Sequence, residues 1–184
     1  KSRALIESAL RCGVKHFIFS STAAVYGTPQ KNPVTEDEPL QPESPYGTSK
    51  LMTEIMLRDT AAAHDFAYTA LRYFNVSGAD PKRRTGQSTK GATHLIKVAC
   101  ETATGKRPFM EVFGTDYPTP DGTCVRDYIH VSDLVNAHYL ALQRLRSGGG
   151  SLIANCGYGR GYSVLEVIDA VKRVSGTDVK VVES

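Results

Sequence analysis

The sequence predicts an α/β fold with a mainly parallel sheet, and three features of the chain support that prediction. Segments with a helical spacing of apolar residues alternate with short apolar runs, the order that βαβ units produce. Two of the runs, "VKHFIFSS" and "FAYTALRYFNV", are largely apolar and aromatic, as expected of strands buried on both faces. Glycines and prolines separate many of the segments. Because parallel sheets carry their sites at the carboxyl ends of strands, the residues that follow each run are the first candidates for function.

The first half of the chain contains two predicted helix–strand pairs. Apolar residues recur with helical spacing from Leu5 to Leu10, and Gly13 would end that helix before the strand "VKHFIFSS". The segment from Thr28 to Pro45 holds five prolines and several acids, which predicts a loop. A second helix is predicted from Tyr46 through "LMTEIMLRDTAAAH", followed by the strand "FAYTALRYFNV".

The second half repeats the alternation. A helix is predicted near residues 92–104, then a short strand at "FMEVFG". The run "DYIHV" leads into the helix "SDLVNAHYLALQRL", with Ser132 as the predicted N-cap. After "SGGG", the segments "SLIANCG", "YSVLEVIDAVKRV" and "DVKVVES" predict a strand, a helix and a strand.

Composition narrows the function classes. The chain is 41% hydrophobic and 22% charged, as in soluble globular proteins, and its net charge of +3 is too small to indicate nucleic acid binding. No apolar run reaches the roughly 20 residues of a membrane span. Four scattered cysteines form no CxxC pair and the histidines show no ligand spacing. These patterns predict a cytoplasmic protein with reduced cysteines and without a metal site.

The strand ends bring together a candidate proton-transfer set. The first strand ends in Ser20, Ser21 and Thr22, and the next helix begins with Tyr46 and Lys50, four residues apart and hence on one face. A free phenol has a pKa of about 10, and bringing it to about 7 requires roughly 4 kcal/mol of preferential stabilisation of the phenolate. A nearby ammonium and a cationic cofactor ring would together favour the phenolate. Such a set suits proton removal from an alcohol during hydride transfer.

Each member of this set also has a purely structural interpretation. A Tyr and a Lys four residues apart are common on helix surfaces, and Thr22 alone would more often be a capping or turn hydroxyl. The ordered combination favours function: strand, "SST", proline-rich loop, "PYGTSK" helix, and a strand ending in "RYFN".

Four stretches carry a family resemblance: "FSSTAAVYG", "SPYGTSKL", "LRYFNVSGAD" and "VFGTDYPTPDGTCVRDYIHVSDL". They resemble the extended short-chain dehydrogenase/reductases, and most closely the UDP-hexose 4-epimerases among them, over essentially the whole chain. The resemblance implies a doubly wound, Rossmann-like parallel sheet, incomplete in this chain, with a smaller α/β substrate-binding domain. Residues 1–78 and 114–148 would form the C-terminal half of an NAD-binding domain, and residues 79–113 and 149–184 part of a nucleotide-sugar domain.

The resemblance assigns roles to the strand-end residues. Tyr46 would be the catalytic base, Lys50 would favour its phenolate and anchor the nicotinamide ribose, and Thr22 would bridge the substrate and the phenol. All three would contact NAD, and Thr22 and Tyr46 would also contact the substrate. Tyr73 and Phe74 would border the nicotinamide.

Further substrate contacts implied by the resemblance are Asn75, His94, Leu95, Val112, Phe113, Arg126 and Tyr128. The amide and the guanidinium would bind the diphosphate, and the others would line the nucleotide pocket. Each has a structural alternative: Arg126 could pair with Asp127 on the surface, Leu95 and Phe113 could be core residues, and His94 could cap a helix.

One element of the family pattern is missing. The fingerprint GxxGxxG after a first strand does not occur. The segment "CGYGRGYSVLEV" has the spacing GxGxG instead and lies where the family has its substrate domain, so it is not predicted to bind the cofactor. We therefore expect the chain to be part of a larger enzyme and to be inactive alone.

The resemblance implies NAD-dependent, reversible epimerisation at C4 of a UDP-hexose, which interconverts UDP-galactose and UDP-glucose through a 4-keto intermediate. One alternative is a nucleotide-sugar dehydratase or decarboxylase of the same family. Dehydratases carry an Asp–Glu pair where this chain has Ala23 and Ala24, which disfavours that alternative. Another is a non-catalytic chain that binds a nucleotide sugar or a partner protein. Acceptance of N-acetylated sugars and the pathway, galactose catabolism or surface polysaccharide synthesis, are left open.

The expected protein partner is a second copy of the chain. The resemblance implies a homodimer that pairs through helices near residues 3–12 and 46–63. No nucleic acid or membrane partner is predicted.

Overall fold

A three-stranded parallel sheet forms the framework of the first part of the chain. The structure is a computed structural model that describes all residues from 1 to 184. The strands are β1 (His16–Thr22), β2 (Ala67–Tyr73) and β6 (Leu152–Cys156), in the order β1-β2-β6. β2 pairs with β1 from His16 opposite Ala67 to Thr22 opposite Tyr73. β2 is central and its residues 68–72 are buried, which explains its long apolar run.

Two helices cover one face of this sheet. They are α1 (Ser2–Arg11) and α2 (Pro45–Ala63), which begins one residue earlier than predicted because the proline occupies the first helical turn. Ile6 of α1 and Leu57 of α2 share a core cluster with Tyr68 and Ala70 of β2. No helix of the protein has the length and apolar character needed to cross a membrane.

A third helix covers the opposite face. Leu134 and Ala141 of α4 (Val131–Arg146) pack in a separate cluster with Leu71 of β2. Ala70 and Leu71 point to opposite faces because side chains alternate along a strand. Helices on both faces of a parallel sheet confirm the predicted doubly wound α/β fold class. The predicted N-cap of α4 is wrong: His130 occupies that position, and its Nδ1 accepts a hydrogen bond from the N–H of Ser132 at 3.1 Å.

The remaining elements are shorter. In chain order they are β3 (Asn75–Ser77), α3 (Leu95–Ala103), β4 (Met110–Val112), β5 (Val125–His130), β7 (Gly161–Ser163), α5 (Val164–Ser175) and β8 (Val181–Glu183). β4 pairs with β8 in parallel, and α3 and α5 pack around them in a cluster built on Ala99, Met110 and Ile168. β5 pairs antiparallel with β7. Ser163 and Glu166 form a capping box at the start of α5.

The chain divides into two compact units. Unit 1 comprises residues 1–76 and 129–159, and unit 2 comprises residues 77–128 and 160–184. These bounds differ from the predicted domain limits at three places. Residues 77–78 lie in unit 2 and not in unit 1. Residues 149–159 lie in unit 1 because β6 completes the sheet beside β2, and residues 114–128 lie in unit 2, where the first half of β5 pairs with β7. The roles assigned to the two parts from sequence stay predictions.

The stability of unit 2 should depend on acid through Glu101. Its carboxylate accepts hydrogen bonds from Lys97 and Arg107, each at 2.6 Å. These bonds lower the pKa of Glu101 from 4.5 to about 2. A depressed pKa stabilises the folded state above the unfolded-state value, and this contribution is lost as pH falls from about 4.5 towards about 2. We expect Glu101→Gln to lower Tm at neutral pH, with the difference from the native protein disappearing across that acid range.

Thermal unfolding followed at several pH values measures this effect. Glu183→Gln is the matched control, because Glu183 is an exposed carboxylate in the same unit. A Tm difference for Glu101→Gln that stays constant through the acid range would contradict the assignment.

Candidate active site

The start of α2 presents Tyr46 and Lys50 on one face of the helix. Ser44 is the N-cap, and its Oγ accepts a hydrogen bond from the N–H of Gly47 at 3.1 Å. Lys50 Nζ lies 5.7 Å from the centroid of the Tyr46 ring and 5.1 Å from that of Phe19. The Tyr46 side chain is not enclosed in an apolar core, because the residue is 55% exposed. The two side chains therefore neither diverge nor face a dry interior.

Lys50 also ties the helix to the end of β1. Its Nζ donates a hydrogen bond to the carbonyl oxygen of Ser20 at 2.8 Å. An ammonium has three donors, so two N–H groups remain for other acceptors. The arrangement can hold a hydroxylated ligand and a phenol side by side at this strand end.

Thr22 lies at the carboxyl end of β1, where its hydroxyl caps a turn, as its structural interpretation predicts. Its Oγ1 accepts a hydrogen bond from the N–H of Ala24 at 3.2 Å and caps the 3₁₀ turn Ala23–Val25. A hydroxyl that accepts one bond still has its own O–H to donate. Thr22 is opposite Tyr73 in the sheet, so both residues lie at the same level of the strand ends.

The residues after β2 extend the same edge. The ring of Tyr73 lies 6.4 Å from that of His138 on α4, measured between centroids. Phe74 is half-buried, and Asn75 is exposed at the first position of β3. Unit 1 thus brings together Thr22 and Tyr73 as sheet neighbours, and Tyr46 and Lys50 as neighbours on α2.

Four predicted substrate residues lie on α3 and β4 of unit 2 or directly beside them. His94 is the N-cap residue of α3 without a side-chain cap bond, and its Nδ1 lies 2.8 Å from Nε2 of Gln87. Leu95 packs on the unit 2 core and Val112 is buried within it. Phe113, by contrast, does not pack in this core, because 69% of its surface is exposed. The core alternative, made for Leu95 and Phe113, therefore describes the Leu95 side chain but not that of Phe113. Val112 is a core residue as well.

The last two predicted substrate residues lie on β5. Arg126 is exposed, and its Nη1 donates to the carbonyl oxygen of Val125 at 2.8 Å. Tyr128 is half-buried, and this burial raises the pKa of its phenol. Tyr128 is therefore a neutral hydrogen-bonding group at physiological pH.

A buried polar cluster behind the strand ends was missed by the sequence analysis. Glu54 of α2 and Arg72 of β2 are 3% and 2% exposed, and the guanidinium binds the carboxylate through two bonds of 3.0 and 2.6 Å. The Oγ of Ser21 donates to the same carboxylate. Arg72 Nη1 donates to the hydroxyl of Tyr26 at 2.8 Å, and that hydroxyl donates to Oδ1 of Asn155 at 2.8 Å. One sequence signal was available, because an arginine inside a buried apolar strand requires a partner.

Hydrogen bonds in this cluster keep the guanidinium of Arg72 charged although it is buried. Burial works against the charge of Arg72, yet its hydrogen bonds to Glu54 and Tyr26 leave its pKa above the ordinary value. Burial raises the pKa of Tyr26, so the phenol stays neutral and can accept from Arg72 while donating to Asn155.

Gly47, next to Tyr46, is required by the close approach of α2 to the 3₁₀ turn. A Cβ at this position would lie 2.5 Å from the carbonyl oxygen of Ala24 and 3.0 Å from Cβ of Pro42. Alanine in a helix is ordinarily preferred over glycine by about 1 kcal/mol. Here the contact with a backbone oxygen should reverse that preference, and we expect Gly47→Ala to destabilise the protein by about 1–3 kcal/mol, the usual cost of overpacking.

Chemical denaturation of Gly47→Ala and Gly150→Ala tests this expectation. A Cβ added at the control glycine would meet no atom within 4 Å, and the backbone there is not left-handed, so its replacement should leave stability nearly unchanged. A Gly47→Ala protein as stable as the native one would show that α2 can move away from the turn.

Comparison with known proteins identifies the family of the chain. The model of the NAD dependent epimerase/dehydratase family matches residues 1–157. The chain belongs to this family. Among relatives, it is similar to the UDP-glucose 4-epimerase of Azospirillum brasilense, with 62% identity over 178 residues, which are 97% of this chain and 51% of that protein.

Solved structures of the family give the same result. The crystal structure of UDP-glucose 4-epimerase from Brucella ovis in complex with NAD matches with a TM-score of 0.95 and 44% identity, over 99% of this chain and 56% of that one. The enzyme from Bifidobacterium longum, in complex with NAD+ and UDP, matches with a TM-score of 0.93 and 39% identity, over 100% of this chain and 55% of that one. The chain thus spans about half the length of these family members.

Proposed function

We propose that this chain forms part of an NAD-dependent epimerase that reversibly inverts C4 of a UDP-hexose, interconverting UDP-galactose and UDP-glucose. The observation that carries the proposal is the placement of Tyr46 and Lys50 together on α2, with Lys50 bonded to the strand end that carries Thr22. The similarity to proteins named UDP-glucose 4-epimerase supports the choice of reaction.

The residues at the strand ends are suited to an NAD ribose and nicotinamide. Lys50 keeps two N–H donors beyond the one used on Ser20, and ribose hydroxyls are their natural acceptors. Tyr73 and Phe74 offer partly exposed aromatic surface beside them. The chemistry supplied by bound NAD+ is reversible hydride exchange with C4 of the hexose.

The chain's own residues would move the proton. The phenolate form of Tyr46, next to the Lys50 ammonium, accepts the proton of the sugar 4-hydroxyl as hydride leaves C4, and becomes the phenol. The phenol then returns this proton to the 4-oxygen when hydride is delivered to the opposite face of C4, which restores the phenolate. Thr22 donates its O–H to the same sugar oxygen and holds it against the phenol. The 4-ketose turns between the two steps, so the sugar must be bound loosely while its nucleotide is bound firmly.

Unit 2 residues would provide the firm contact with the nucleotide. The exposed guanidinium of Arg126 suits a diphosphate, with Asn75 of unit 1 and Tyr128 as further polar contacts. His94 and Phe113 would border the nucleoside with their side chains. Leu95 and Val112, whose side chains pack in the unit 2 core, would border it through their backbone. Under this proposal, unit 1 belongs to the cofactor domain and unit 2 to the nucleotide-sugar domain.

Elimination chemistry is disfavoured at the same strand end. The 3₁₀ turn after Thr22 consists of Ala23, Ala24 and Val25, which carry no carboxylate for a dehydratase. We further propose a cytoplasmic location, which the four free cysteines support.

A homodimer through α1 and α2 is part of the proposal. Leu5 on α1 and Met52 and Ile55 on α2 are exposed, at 59%, 58% and 39%. We expect Met52→Glu to convert the dimer of the complete gene product into a monomer, because a buried unpaired charge at the contact is costly. Light scattering after size-exclusion chromatography measures the mass. Val174→Glu, on an 85% exposed residue of α5, should leave the dimer intact, and a monomeric native protein would contradict the expectation.

The experiment for the reaction uses the complete product of the gene that contains this sequence. UDP-galactose is added to the purified protein with NAD+, and UDP-glucose is separated and quantified over time. Formation of UDP-glucose towards equilibrium supports the proposal. Recovery of unchanged UDP-galactose would overturn it, and loss of water to a 4-keto-6-deoxy sugar would assign the dehydratase reaction instead.

A further inference from the structure

The half of α2 that carries Tyr46 and Lys50 has few apolar anchors. The buried residues of the helix are Gly47, Thr53, Glu54 and Leu57, and only the last has a large apolar side chain. Leu57 packs in the core cluster with Phe66 and Tyr68, away from the catalytic end. The hydrophobic effect is non-directional, so burial of this cluster holds α2 on the sheet but specifies its position along the helix axis less strictly than a hydrogen-bonded pair would.

Glu54 provides a directional contact on the catalytic face. It follows Lys50 by four residues, as Lys50 follows Tyr46, so the three side chains lie along one side of the helix. Both carboxylate oxygens of Glu54 are bound: Arg72 Nε donates to Oε1 at 3.0 Å and Nη2 to Oε2 at 2.6 Å. A two-point contact between a planar guanidinium and a carboxylate fixes orientation as well as distance.

The partners of Glu54 lie at the strand ends next to the catalytic residues. Ser21 and Arg72 are opposite one another in the β1–β2 register, one residue before Thr22 and Tyr73. Ser21 donates to the same carboxylate, and the preceding Ser20 accepts from Lys50. Two side chains one helical turn apart, Lys50 and Glu54, therefore bind α2 to the neighbouring residues Ser20 and Ser21 of β1.

The far side of Arg72 is also fixed. Its third bond reaches the Tyr26 hydroxyl, which donates to Asn155 of β6. Asn155 in turn is held by the proline-rich loop: its Nδ2 donates to the carbonyl of Val34 at 3.1 Å. If α2 slid or rotated, Glu54 would move with it, while Arg72 would stay held by Tyr26 and, through it, by Asn155. The buried ion pair would therefore break.

We propose that Glu54 and Arg72 are positioning residues, which set the axial position of α2 and thereby hold Tyr46 and Lys50 at the strand end that carries Thr22. This role rests on the proposed function, since it is proton transfer by Tyr46 that the position serves. Neither residue contacts the substrate; each acts through the helix. A misplacement of about 1 Å is enough to lower turnover by roughly 100-fold.

The test uses three variants of the complete gene product: Glu54→Gln, Arg72→Lys and Leu57→Ala. The first keeps the shape of the side chain but removes its charge. The second keeps the charge but removes the two-point contact of the guanidinium. The last removes a fully buried apolar contact of the same helix and serves as the matched destabilised control. Two measurements are made well below the lowest Tm: kcat and KM for UDP-galactose, and peptide-resolved hydrogen exchange across α2.

We expect Glu54→Gln and Arg72→Lys to lower kcat by about 10- to 100-fold with KM nearly unchanged, and to speed exchange of the amides of residues 48–53 by about tenfold or more. Leu57→Ala should lower Tm by at least as much while kcat stays close to native, with faster exchange confined to the later turns.

The outcomes separate the two proposals. If kcat falls in proportion to Tm across all three variants, or if exchange of residues 48–53 is unchanged in Glu54→Gln, the positioning role is wrong. If the native protein does not epimerise UDP-galactose at all, the proposed function fails, and the exchange pattern still decides whether the pair positions the start of α2.

Discussion

Replacing Tyr46 with Phe in the complete protein should lower kcat for UDP-galactose by about 10²- to 10⁴-fold, the usual contribution of a positioned general acid–base group. The change removes one hydroxyl and keeps the ring that lies 5.7 Å from Lys50 Nζ. KM for the nucleotide sugar should change little, because the proposed function assigns most of the binding energy to the diphosphate and the nucleoside. Tm should also stay close to native, since the residue is 55% exposed.

Tyr139→Phe is the matched control for this prediction. Tyr139 lies on α4 and is 57% exposed, so the same hydroxyl is lost from a similarly exposed ring. Its turnover should equal that of the native protein. Turnover of Tyr46→Phe within a few-fold of native would exclude the phenol as the proton-transfer group, even if the protein is an epimerase.

A large loss of stability is expected from leaving one charge of the buried ion pair without its partner. Arg72→Leu leaves the Glu54 carboxylate, which is 3% exposed, with Ser21 as its remaining hydrogen-bond donor. Removing one partner of a buried pair typically costs about 3–5 kcal/mol, because the other charge is left without compensation. We expect a loss of that size in the free energy of unfolding measured with urea.

Two further variants show whether the cost arises from the unpaired charge. Glu54→Leu/Arg72→Leu removes both charges, and replacing a buried pair with apolar side chains is often close to neutral, so the double variant should recover much of the loss. Arg58→Leu removes the arginine of an exposed pair with Asp59 and should leave stability almost unchanged. A double variant as unstable as Arg72→Leu would show that the loss comes from packing or from the hydrogen bonds of Ser21 and Tyr26.

The sequence by itself determined the local elements of this protein. Helical spacing of apolar residues located α1, and largely apolar runs located β1 and β2. Burial of one helix face or of a whole strand leaves such a pattern in the chain. The pairing of Tyr46 with Lys50 was also readable, since residues four apart on a helix must share a face. These features depend only on neighbours within a few residues.

Tertiary structure alone decided which distant segments meet. The strand β6 begins 79 residues after β2 ends, counted from Tyr73 to Leu152, and nothing in its own residues shows that it lies beside β2. Its position moved residues 149–159 into unit 1, against the sequence prediction. Likewise, Arg72 inside an apolar strand signals that some partner is needed, but nothing in the sequence identifies Glu54 on a helix as that partner. Only the packing of α2 on the β1–β2 pair brings their charges together, because contacts between distant residues depend on how whole elements dock and not on the spacing of residues along the chain.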